Sequence, residues 1–129
     1  MRILVDANAL IWAVDAPSKL GQATRAALLD PRNERLLSAA TIWEISIKVA
    51  LKKLSLSLAF LPWINKAATD LGASLLPITA IHADAQLALP MLHRDPFDRV
   101  LVAQATVENM SIITSDVLLE QYGISRIWD

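Results

Sequence analysis

A chain of 129 residues, 54% hydrophobic and 19% charged, suits one domain with a substantial core and excludes a disordered chain. The absence of cysteine excludes a disulfide framework, thiolate metal sites and cysteine nucleophiles, and fits a reducing cytoplasm. The net charge of -1 hides eight Lys/Arg against five Asp/Glu in residues 1–64 and four against eight in residues 65–129, which excludes a polybasic nucleic-acid binder.

Residues 2–5 (RILV) read as a short buried strand ending at Asp6. No leader is expected ahead of it, and no apolar run approaches the ~20 residues that span a bilayer. Residues 7–14 suit a helix, and Pro17 breaks the chain within 15–18. Residues 20–30 form an amphipathic pattern, with Leu20, Ala23, Ala27 and Leu28 on one face. A turn at 31–33 leads to a second strand over 35–38. The stretch from Thr41 to Lys53 alternates like a strand, but it has no turn signal and opens with a Thr41/Glu44 capping-box spacing, so a helix is expected. Another helix covers 60–71, stopped by Gly72.

A third strand is expected over 74–77 and a helix over 79–89 with Thr79 as its cap. Residues 90–94 read as loop. Asp95-Pro96 then opens a long helix to about Asn109, with Asp95 as N-cap and proline at the first helical position. Residues 111–114 form a fourth strand, 116–122 a short helix stopped by Gly123, and 125–128 a last strand. Strands alternating with helices predict an α/β domain, its parallel sheet covered on both faces. No repeat, low-complexity tract or linker interrupts it.

In open sheets of this kind, ligands bind beyond the carboxyl ends of the strands. Asp6 and Asp116 occupy such positions. Glu44 and Asp98 are expected in the first turns of helices, whose N-termini favour carboxylates and phosphate. Each acid alone has a bland role as a cap or first-turn residue. Together, four acids at converging element ends repel one another unless a cation neutralises them, and hard divalent metals take oxygen ligands. The pattern points to a Mg2+ or Mn2+ site handling a phosphate ester.

ILVDANALIW, SAATIWEISIK, HRDPFDRVLVAQA and IITSD, in that order, resemble the PIN-domain ribonucleases, and among them the VapC-type toxins of bacterial toxin–antitoxin pairs. The resemblance runs over essentially the whole chain, and DPFDR before an Ala-Gln-Ala helix is its most specific piece. It implies a single PIN-like three-layer α/β/α domain with a short, mostly parallel central sheet. It further implies that Asp6, Glu44, Asp98 and Asp116 form an acidic quartet binding Mg2+ or Mn2+ for RNA hydrolysis. Asn8 and Ser115 match its polar flanks, Arg99 the basic residue after the third acid, and Asp95 a frequent family acid that also suits a cap. A homodimer and a tight complex with a cognate antitoxin protein are implied too. The low charged fraction independently suggests apolar surface awaiting a partner.

The remaining polar and aromatic residues read structurally. His82 and His93 are too scattered for metal-ligand spacing; His93 and Arg94 read as ordinary loop residues, with contact to RNA as the alternative. Lys48 suits an ion pair with Glu44 one turn earlier, and with Lys52 and Lys53 offers positive surface beside the acids. Trp12, Trp43 and Trp63 sit in apolar contexts that suit core or interface. Two rivals remain: a phospho-accepting receiver, which lacks here its acidic pair and late lysine, and a catalytically inactive interaction module.

Overall fold

The computed structural model describes residues 1–93 and 95–129, so the reading of Arg94 lies outside the described residues. Strands β1 (Arg2–Val5), β2 (Glu34–Ser38), β3 (Ser74–Leu76), β4 (Ser111–Ile113) and β5 (Arg126–Ile127) form one sheet in the order β3-β2-β1-β4-β5. Every pairing is parallel, with Leu4 opposite Leu36 on one side and Ile112 on the other. Helices α1 (Ala7–Asp15), α2 (Gln22–Leu29), α3 (Ala39–Ala50), α4 (Phe60–Leu71), α5 (Ala80–Leu87) and α6 (Pro96–Glu108) make the crossovers.

The two-residue period of the strands divides the core into two layers. Ile3, Val5, Leu37 and Ile113 pack with Leu10, Leu28, Ile45, Trp63 and Leu71 from α1 to α4. Leu4, Leu36, Leu76 and Ile112 face the other way, onto Leu101, Val102 and Ala105 of α6. Neighbours in sequence thus serve opposite faces, and strands buried on both faces read as continuous apolar runs. The expected α/β/α layering is present.

Local capping sets where the helices begin, and at α3 it departs from the expected start. Helix α3 opens at Ala39, capped by Ser38, whose Oγ accepts from the Ala40 amide at 3.1 Å. Because the last residue of β2 already satisfies that amide, the helix needs no loop and no cap from Thr41. Thr41 is buried inside it, and Glu44 stands in the second turn instead of the first. The same helix stops at Ala50 instead of running on to Lys53. Lys52 takes a left-handed φ of 58°, and the Lys53 amide closes onto the Lys48 carbonyl at 2.9 Å. This Schellman-like stop uses lysine where glycine is usual, so it carries no glycine signal. Gly72 is the expected left-handed cap of α4, at φ 57°.

Asp6, Asp95 and Asp116 all accept amides at the starts of helical segments; Thr79 caps α5 in a box with His82. Among the described residues no helix is long and apolar enough to cross a membrane.

Candidate active site

From β1 the chain runs outward to β2 and β3 on one side, while β4 and β5 lie on the other. The carboxyl ends of β1 and β4 therefore border a topological switch point, where helix starts leave a crevice. Asp6 leaves β1 there, its Oδ1 accepting from the Ala9 amide at 2.8 Å, which aims the carboxylate across the sheet end. Asp98 comes from the first turn of α6, whose cap Asp95 accepts from the Phe97 amide at 2.9 Å. Asp116 follows β4, and its Oδ1 accepts from the Leu118 amide at 3.0 Å. Glu44 reaches in from α3, with Lys48 Nζ at 2.9 Å one turn on, as the helical spacing predicts.

Asp6, Asn8, Glu44, Asp95, Asp98, Ser115 and Asp116 line one cavity of about 150 Å³, together with Ala7 and Lys48. All the expected site residues meet there except Arg99. Arg99 is buried, donating to the Pro90 carbonyl at 2.9 Å and the Gln86 carbonyl at 3.0 Å, at the C-terminal end of α5. Successive helical residues diverge by about 100°, so the helix that aims Asp98 into the cavity turns Arg99 away from it. The guanidinium braces the loop behind the site.

Two residues unassigned from the sequence belong to the site. His93 reads in the sequence as an ordinary loop residue. In the fold its Nε2 lies 2.8 Å from Asp116 Oδ2 and 3.2 Å from Asp98 Oδ2, and ligand atoms of the three side chains lie within 4.8 Å of one another. Ligand spacing along the chain fails as a guide here, because the three come from different elements. Thr114 is buried just past β4; its hydroxyl accepts from the Asp116 amide at 3.1 Å and supports Asp6. A polar residue closing an apolar strand just before the acid is its only signal.

Crowding is visible in the acidities. Burial drives the Asp98 carboxyl up to about 7, with the negative charge of Asp95 next, opposed by His93 and reinforced by Glu44 and Asp116. Asp6 is raised too, chiefly by burial, against the pull of the Thr114 and Ala9 hydrogen bonds. Two hard oxygen donors, Asp6 and Asp98, hold their protons unusually tightly, and a divalent cation would relieve that crowding. The chemistry of the donor set fits such an ion.

The strand order also separates this fold from a receiver, whose sheet runs β2-β1-β3-β4-β5. Comparison with solved structures finds VapBC2 from Rickettsia felis bound to a DNA fragment from their promoter, at 16% identity and TM-score 0.74, covering 100% of both chains. FitAB bound to an IR36 DNA fragment matches at 20% identity and TM-score 0.64, over 97% of this chain and 93% of that one. FitAcB from Neisseria gonorrhoeae follows at 16% identity and TM-score 0.58, over 97% and 96%. These likenesses establish a shared fold. No match is found among curated protein sequences. The PIN domain family model matches residues 3–124, and the chain therefore belongs to the PIN domain family of nucleases.

Proposed function

We propose that this chain is a metal-dependent endoribonuclease, a single PIN domain over residues 1–129 that hydrolyses RNA phosphodiester bonds and acts as the toxin of a toxin–antitoxin pair. One observation carries the nuclease reading: acids from four separate elements share one small cavity, and Asp98 is pushed up to about 7. Asp6 and Asp98 are the first-choice ligands of Mg2+ or Mn2+, with Glu44 and Asp116 binding it directly or orienting water. When bound, the ion lowers the pKa of a water and neutralises charge developing on the scissile phosphate.

The chain's own residues supply position and proton handling. Asp6 is held by the Ala9 amide and Asp116 by the Leu118 amide, so both carboxylates line the cavity without reorganisation. Glu44, tethered to Lys48, is the candidate for taking a proton from water. Asn8 and Ser115 border the cavity as polar contacts for substrate.

Likeness to VapBC2 and FitAB supports the antitoxin setting, and a cytoplasmic location is part of the same proposal. So does an apolar groove of about 340 Å³ beside the acids, lined by Ala40, Trp43, Ile78, Phe97 and Val100. Trp43 is exposed there, as an interface residue would be, whereas Trp63 is buried in the core. A homodimer would cover part of the remaining apolar surface.

The test is RNA cleavage with Mg2+ or Mn2+, with and without EDTA, for wild type and Asp6→Asn. Asparagine still caps α1, so the fold should hold while the charge is lost. Cleavage should need the metal and vanish in the variant; full activity in EDTA or in Asp6→Asn rejects the reading.

A further inference from the structure

We infer that His93 is a positioning residue of the carboxylate pocket: its Nε2–H holds Asp116, with Asp98 as a second acceptor, in the arrangement that receives the cation, without ligating it. The inference rests on the metal-dependent reading above. Both edges of the ring are engaged. On one side Nδ1 lies 3.1 Å from the Asp95 backbone nitrogen, which can only donate. Nδ1 therefore accepts, and the proton of the neutral ring sits on Nε2. A protonated Nε2 has no lone pair for a metal, but it has a proton for a carboxylate.

The shorter contact, 2.8 Å to Asp116 against 3.2 Å to Asp98, makes Asp116 the main acceptor. Asp116 is then gripped at both oxygens, Oδ1 by the Leu118 amide and Oδ2 by His93. His93 is anchored independently of its ring, because its backbone amide donates to Tyr122 Oη at 2.8 Å. Tyr122 closes the 3-10 segment Val117–Tyr122 that Asp116 itself starts. The ring thus spans the start of α6 and the exit of β4, fixing the gap between acids of separate elements. Donors that orient a ligating carboxylate typically change metal affinity 10–100-fold when removed.

Mn2+ is the probe, titrated calorimetrically into wild type, His93→Ala, His93→Gln and Asp98→Asn, each checked by circular dichroism. Glutamine carries an amide N–H near the position of Nε2. His93→Ala should weaken Mn2+ by about 10–100-fold, as for other lost outer-shell partners, and His93→Gln should recover most of it. Nitrogen-15 NMR of the metal-free protein should find the His93 ring proton on Nε2. Mn2+ binding unchanged in His93→Ala, or a directly coordinated imidazole nitrogen in pulsed EPR of the Mn2+ form, overturns the inference. Mn2+ binding that is absent from wild type, or as tight in Asp98→Asn, overturns the metal reading and this one with it, a result distinct from His93→Ala binding normally.

Discussion

Asp98→Asn keeps the shape of a side chain whose charge the fold resists. The carboxyl rises from an ordinary 3.8 to about 7, and each unit corresponds to about 1.4 kcal/mol, so the unscreened cost of ionising it approaches ~4 kcal/mol. The side chain is still 21% exposed, and solvent screening discounts that figure, leaving a net gain for the variant of about 1–2 kcal/mol. For a chain of this size that is a melting temperature higher by roughly 3–8 °C. The sign depends on pH. Between 3.8 and about 7 the folded protein keeps a proton that the unfolded chain has released, so wild-type stability falls as pH rises through this window. Asparagine has no such proton, so the gain should be near zero at pH 4 and complete by pH 8. Thermal melts in EDTA at both pH values measure it. Added Mn2+ should then stabilise wild type but not the variant. A variant markedly less stable than wild type at pH 8 without metal, or an equal gap at both pH values, would refute the electrostatic reasoning and leave Asp98 a helix-start residue.

Mn2+ binding should displace the Asp98 proton, so affinity should fall by up to about tenfold per unit below pH 7 and level off above pH 8; calorimetry giving a flat profile from pH 5.5 to 8 would sink this. Arg99→Ala removes a buried guanidinium that donates to the Gln86, Leu89 and Pro90 carbonyls and should cost about 1–3 kcal/mol in urea melts with Mn2+ affinity retained. Unaltered stability with weakened RNA binding would instead return Arg99 to the substrate.

Properties carried by a few neighbouring residues are legible in the amino-acid sequence itself. RILV followed by Asp6, Asp95-Pro96 at the head of a helix and Gly72 after one each encode their element by local sterics and hydrogen bonding. The convergence of Asp6, Asp98 and Asp116 is legible for the same reason, since an acid where a strand ends or a helix starts lies at the same edge of a parallel sheet whichever strand supplies it. Local signals also mislead where a better partner lies nearby. Ser38 pre-empts Thr41 as cap, and Lys52 takes a left-handed turn without being glycine.

Tertiary packing alone decided the rest. His93 meets Asp116 across 23 residues because α5 packs on α6 and α6 packs on β4. No periodicity in the chain encodes that distance. Arg99 is a brace and not a substrate contact because it finds carbonyls behind the site, and burial, a property of the assembled layers, raises the pKa of Asp98. Residue types and their order placed the acids at one edge. Their spacing, protonation and supports depend on long-range contacts that exist only once the sheet has formed.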